Sequence, residues 1–178
     1  VSESEKIDLK IKLRKTERIA LNADRKEISG AGEIVEATKA LYALIDEASN
    51  QGEITEIENL NGKNEEKLIV LIEEKYGYLR AVFKKAEELQ RQGLLTAEQE
   101  SEVDKLREIF SGEGQLAANV ENVDKVENKL NKILESKNTA QLGQIGIVKT
   151  EERTIEPKYN LTTAREPQKN TDLQALFK

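Results

Sequence analysis

The segment between Asn64 and Gln92 constrains the fold of this chain more than any other part of the sequence. It contains no proline, and its apolar and aromatic residues recur at intervals of three and four, at Ile69, Ile72, Tyr76, Leu79, Phe83 and Ala86. This spacing forms one stripe along a helix and has the heptad period of a left-handed coiled coil. We therefore predict one continuous helix, with Asn64 as its N-cap and Gly77 at a close contact with another helix.

The composition agrees with long helices that pack along narrow apolar stripes. Aromatic residues make up 4 % of the 178 residues and charged residues 35 %, so large side chains for a deep core are scarce. Many charged helix formers with helical periodicity are typical of bundles and coiled coils. The sequence predicts an all-α protein, an elongated helical bundle or coiled-coil hairpin with an extended C-terminal tail.

The N-terminal residues fit two structures. Ser2 and Glu5 have the spacing of a capping box, which predicts a helix over residues 4–28. Apolar residues also alternate with charged ones, at Ile7, Leu9, Ile11 and Leu13. That alternation fits a strand, and the two alternatives remain open at this point.

A second helix is predicted over residues 33–49. Its apolar stripe has a regular spacing of three and four, at Ile34, Ala37, Leu41, Leu44 and Ala48. Gly52 has the position of a residue that ends a helix, and residues 61–64, Asn-Gly-Lys-Asn, have the composition of a turn.

Two further helices are predicted after the central segment. Thr96 and Gln99 form a second capping box, which opens a helix with Val103, Leu106 and Phe110 as its stripe. The other helix covers residues 116–136. Its stripe consists of Val120, Val123, Val126, Leu130 and Ile133.

The character of the sequence changes after residue 136, and both prolines lie in the polar stretch beyond it. We predict that residues 137–170 are extended or disordered, with a short strand over 144–148. The chain is thus divided into a basic N-terminal segment (1–30), a helical bundle (33–136) and a tail (137–178).

The last residues of the tail are predicted to bind a protein. Leu173, Leu176 and Phe177 lie close together after a polar stretch and lack a core of their own. Such side chains either fill a groove of another protein or dock on their own bundle.

The amino-acid composition excludes several classes of chemistry. Without histidine or cysteine there is no zinc finger, no haem or iron–sulfur ligation and no Ser–His or Cys–His catalysis. We predict a protein without enzymatic activity, cofactor or small-molecule substrate. No membrane span or signal peptide is visible, which favours the cytoplasm or a virion as its location.

Charge is distributed unevenly along the chain. Residues 1–26 carry eight basic and five acidic side chains, whereas residues 27–136 carry thirteen and twenty-four. An acidic centre repels nucleic acid, so any DNA or RNA contact is expected at the termini. The main basic cluster is a candidate site for phosphate or an acidic partner, and consists of Lys10, Lys12, Arg14, Lys15 and Arg18.

Glu66 and Glu73 suggest a second chemistry. They are seven residues apart, so they share one face of a helix and could hold a magnesium ion. An acidic metal-dependent hydrolase is therefore an alternative, although a solvated helix face explains the same residues.

Three stretches resemble a known family: Leu41-Tyr42-Ala43-Leu44, residues 72–89 and residues 126–134. Their order is similar to that of the siphophage coiled-coil family associated with phage resistance, and more distantly to Gam-like host-nuclease inhibitors. The resemblance covers about residues 38–178 and implies a coiled coil without an assigned activity. It supplies no catalytic residue.

The sequence as a whole predicts a structural or protein-interaction protein, an adaptor or assembly component that binds itself or a protein partner. The family resemblance implies that it is phage-encoded. An accessory protein of nucleic-acid metabolism, touching DNA through its basic ends, is the alternative.

Overall fold

The computed structural model describes residues 1–112 and 114–145, with side chains up to Glu135. The helices in this part of the chain are α1 (Glu3–Arg25), α2 (Ala31–Ile45), α3 (Gln51–Tyr76), α4 (Tyr78–Arg91), α5 (Ala97–Ser111), α6 (Gln115–Ala118) and α7 (Val123–Ile145). A 3-10 turn over Val120–Asn122 joins the last two, and the described residues form no strand. The prediction of an all-α helical bundle is confirmed.

The chain forms two compact units. The first contains residues 1–85 and 101–130, and the second contains residues 86–100 and 131–178. In the second unit, the buried apolar side chains of the described part are Ala86, Leu89 and Ile133. None of the described helices is long and apolar enough to cross a membrane.

Helix α1 begins with the predicted capping box. The amide of Glu5 donates to Ser2 Oγ at 3.1 Å, and the amide of Ser2 donates to Glu5 Oε1 at 3.1 Å. The strand alternative for this segment is wrong, because the two reciprocal bonds satisfy amides that a helix start leaves open.

Helix α2 is present, but its predicted apolar stripe is displaced. Ala37 and Leu44 are exposed, and Thr38 and Ile45 are buried in their place. The Thr38 hydroxyl donates to the carbonyl of Ile34 at 2.8 Å, so its own helix satisfies the polar atom. A threonine can therefore take a core position that apolar spacing alone does not reveal.

Helix α3 contradicts two predictions, the helix end at Gly52 and the turn over residues 61–64. Asn50 accepts a hydrogen bond from the amide of Glu53 at 2.9 Å, so it begins α3, and Gly52 lies inside the new helix. The helix then continues through residues 61–64. Burial of Ile54, Ile57 and Leu68 outweighs the cost of Gly62, and Asn64 is an interior residue rather than an N-cap.

The predicted helix over 64–92 is interrupted at one residue. Gly77 ends α3, and α4 begins at Tyr78. A side chain at Gly77 would collide with the carbonyl oxygen of Glu73 in the preceding turn. The three atoms nearest to such a side chain all belong to Glu73, so this crowding comes from the preceding turn, and the close contact with another helix stays a prediction.

The apolar stripe of this segment is confirmed over most of its length. Ile69 is half-buried, and Leu68 is buried beside it. The other predicted positions are buried: Ile72, Tyr76, Leu79, Phe83 and Ala86. Burial, with the nearby carboxylates Asp124 and Glu127, raises the pKa of the Tyr76 phenol to about 12.

Two glycines, Gly62 inside α3 and Gly77 at its end, should respond in opposite ways to substitution by alanine. Gly62→Ala should raise the free energy of unfolding by about 1 kcal/mol, because the helix is continuous there and a methyl group meets nothing within 4 Å. Gly77→Ala should lower it, since the methyl group displaces the Glu73 carbonyl. Urea denaturation measures both; shifts in the same direction would contradict this account of the break.

The remaining helices match the predicted stripes better than the predicted limits. The capping box of α5 is present, with Thr96 and Gln99 bonded reciprocally at 2.9 and 3.1 Å. Val103 and Leu106 are buried, and the half-buried ring of Phe110 stacks on Phe83 with centroids 5.0 Å apart.

The predicted helix over 116–136 is divided at Asn119, although all five residues of its stripe are buried. Helix α7 continues to Ile145, so the extended structure predicted for residues 137–145, including the start of the strand, is wrong. The rest of the predicted strand and tail lies outside the described residues, and so does the proposed anchor of Leu173, Leu176 and Phe177.

Candidate interaction surface on helix 1

Helix α1 packs on α2 and α3 with one face, and that packing decides which of its charges are available. Helices α1 and α2 are antiparallel: Lys10 Nζ lies 2.8 Å from a carboxylate oxygen of Asp46, and the Arg14 guanidinium lies 4.0 Å from the ring centroid of Tyr42. Leu9 and Leu13 lie in an apolar core cluster with Leu41. The opposite face of α1 is directed towards solvent.

Three of the five residues in the predicted basic cluster are engaged within the protein. Lys10 pairs with Asp46 of α2, Lys12 pairs with Glu58 of α3, and Arg14 pairs with Glu17 at 2.8 Å. Lys10 and Lys12 therefore connect α1 to its neighbours, Arg14 pairs within α1, and all three cations are less available to an external anion.

The pair of Lys10 and Asp46 is visible in both pKa values. Its hydrogen bond raises the pKa of Lys10 and lowers that of Asp46. The lowered pKa of Asp46 means that its carboxylate stabilises the folded state at any pH above the pKa of aspartate in the unfolded chain. This contribution is lost as the pH falls through the lowered pKa of the folded state. The pair is exposed, so its energy is small.

The other two cations of the cluster face solvent. Lys15 and Arg18 are exposed, and no carboxylate of the described residues pairs with either of them. They lie three residues apart, so they share one face of α1.

Two isoleucines lie on the same outward face and were missed as a surface by the sequence prediction. Ile7 is 50 % exposed and Ile11 is 62 % exposed, although each is two residues from a buried leucine. The signal was available: residues two apart in a helix point to nearly opposite sides, so Leu9 and Leu13 in the core force both isoleucines outwards.

These four residues form a continuous surface, which we call the outer stripe: Ile7, Ile11, Lys15 and Arg18. Their spacing of four, four and three places them along one side of a 23-residue helix. The N-terminal half of the stripe is apolar and its C-terminal half is basic. Such a surface can bury apolar area and pair with carboxylates at the same time.

The carboxylates proposed to hold magnesium are arranged differently. Both oxygens of Glu73 accept hydrogen bonds from the Arg80 guanidinium, at 2.6 and 3.0 Å, and these bonds raise the pKa of Arg80. Arg80 also donates to the carbonyl of Phe110 at 3.1 Å. Glu66 is exposed, and no group of three potential metal ligands occurs in the described part of the chain. Glu73 therefore stabilises the join between α3 and α4.

Comparisons with known proteins do not place this chain in a family. No family model, curated protein or solved structure matches it.

Proposed function

We propose that this chain is a non-catalytic protein-interaction protein, an adaptor or assembly component, which binds a protein through the outer stripe. The observation that carries the proposal is the exposure of Ile7 and Ile11 on consecutive turns. Beside them lie Lys15 and Arg18, which are exposed and pair with no carboxylate in the described part of the chain. Apolar side chains rimmed by charge are typical of docking surfaces. The resemblance to a siphophage coiled-coil family agrees with such a role, and a phage origin stays a prediction.

A protein suits this surface better than nucleic acid does. The cations Lys10, Lys12 and Arg14 are engaged with carboxylates, which leaves few charges to release counterions from a phosphate backbone. The exposed carboxylates of Glu3 and Asp8 also lie near the isoleucines and would repel phosphates. A protein surface can present apolar groups and both signs of charge.

The decisive experiment compares capture of partners by two matched variants of the full chain. Ile7→Asp with Ile11→Asp should weaken capture about 10- to 100-fold, because about half of each isoleucine is still exposed, and burying that half contributes roughly 0.7–1.5 kcal/mol per side chain. Leu60→Asp with Val70→Asp alters two exposed apolar residues of α3 and should leave capture unchanged. Captured proteins are identified by mass spectrometry and their affinities are measured with purified components.

Equal loss of capture in both variants would contradict the proposal. Retention of a DNA fragment that falls steeply with salt, and that is lost on removing Lys15 and Arg18, would instead support the nucleic-acid alternative.

A further inference from the structure

The charges on both sides of the two exposed isoleucines are arranged symmetrically and with opposite sign. Glu3 lies four residues before Ile7, and Lys15 lies four residues after Ile11. Both charged side chains are exposed on α1, and Leu9 is the midpoint of the arrangement. Rotation by 180° about this midpoint exchanges the two isoleucines and brings the level of Glu3 to that of Lys15.

From this symmetry we infer that the occupant of the outer stripe is the same stripe of a second copy of this chain, with the two α1 helices antiparallel. The inference rests on the proposed function, because it assumes that the stripe is a docking surface. Ile7 then lies level with Ile11 of the second copy, and Glu3 lies level with Lys15 of the second copy. Arg18 of the second copy lies three residues, or about one turn, beyond the level of Glu3.

A twofold interface requires a surface that is complementary to itself. The antiparallel arrangement fulfils this condition, since each copy contributes Glu3 on one side of the two isoleucines and Lys15 on the other. A parallel pair would instead place Glu3 beside Glu3 and Lys15 beside Lys15, which is unfavourable for both signs of charge.

The surroundings of the stripe favour the same arrangement. Lys10, Lys12 and Arg14 are neutralised by carboxylates within their own chain, so they do not compete for Glu3 of a second copy. The capping box fixes the first turn of α1 and therefore the position of Glu3. Two isoleucines from each copy form a small interface, and we expect a weak dimer with a Kd of ~10–100 µM.

The test is a charge exchange followed by sedimentation equilibrium of the full chain over a concentration series. Glu3→Lys and Lys15→Glu should each weaken the dimer about 3- to 30-fold, because each variant turns two attractive pairs into repulsive ones. A one-to-one mixture of the two variants should restore the affinity of the unaltered chain. In the mixed dimer, position 3 of each copy lies level with position 15 of the other, and both of these pairs again combine a lysine with a glutamate.

Matched controls lie on α3, where Glu66→Lys and Lys67→Glu make the same charge changes at exposed positions and should not alter dimerisation. Circular dichroism of each variant checks that α1 remains helical.

Four outcomes would overturn the inference. They are a chain that is monomeric at millimolar concentration, charge variants that dimerise as well as the unaltered chain, a mixture that is no better than its components, and dimerisation that persists after Ile7→Asp with Ile11→Asp. A monomeric chain whose capture of another protein still depends on Ile7 and Ile11 would refute the dimer and leave the proposed function intact.

Discussion

Leu79→Ala should lower the free energy of unfolding by about 2–5 kcal/mol. The Leu79 side chain has no exposed surface, lies at the start of α4 and belongs to the apolar stripe that continues from α3. Its truncation removes buried methyl groups and leaves a cavity that the packed helices fill only in part. Urea denaturation followed by circular dichroism measures the loss.

Phe83→Ala should show a loss in the same range, since Phe83 is 4 % exposed and its ring stacks on Phe110. The control is Val70→Ala on α3, where 55 % exposure limits the loss to about 0.5 kcal/mol. If all three variants unfold at the same urea concentration, the buried stripe is assigned to the wrong face.

The helices that the sequence predicted best are those whose signals are local. Both capping boxes, Ser2 with Glu5 and Thr96 with Gln99, need only residues three apart, and both are present. The central stripe follows from spacing alone. The errors at Gly52 and at residues 61–64 arose because glycine and asparagine end a helix in one context and begin or continue it in another. Burial of the flanking isoleucines against other helices decides whether the helix ends or continues there. The local sequence does not show that burial.

The candidate surface was predictable in part. The concentration of basic residues on α1 is visible in the sequence, but the pairing of Lys10 with Asp46 and of Lys12 with Glu58 joins positions far apart in the chain. Only the packing of α1 against α2 and α3 shows which cations remain available. The outward position of Ile7 and Ile11 required only the choice of helix over strand for this segment.

The first unit also buries polar side chains at similar heights along its first three helices. We use the name polar layer for Thr16 of α1, Thr38 of α2 and Asn61 of α3, which are 1 %, 1 % and 6 % exposed. The pairing of residue 10 with 46 in α1 and α2 places the two threonines about two residues, or about 3 Å, apart along the axis. The pairing of Lys12 with Glu58 brings Asn61 to within about one turn of that level.

Each threonine of the layer bonds to its own helix, Thr16 to the carbonyl of Lys12 and Thr38 to that of Ile34. Asn61 Oδ1, by contrast, is buried and has no hydrogen-bond partner among the residues that the structure describes. A buried acceptor in this state costs about 1–3 kcal/mol.

Asn61→Leu should therefore raise the free energy of unfolding by about 1–3 kcal/mol, because leucine has a similar volume and brings no polar atom into the core. Asn59→Leu is the matched control: it makes the same change of helix propensity at an exposed position of α3 and should gain only a few tenths of a kcal/mol. Urea denaturation of the two variants and the unaltered chain measures the difference. A loss of stability in Asn61→Leu beside an unaffected control would mean that the asparagine has a partner in solution, such as a buried water, and that the polar layer stabilises the three-helix packing.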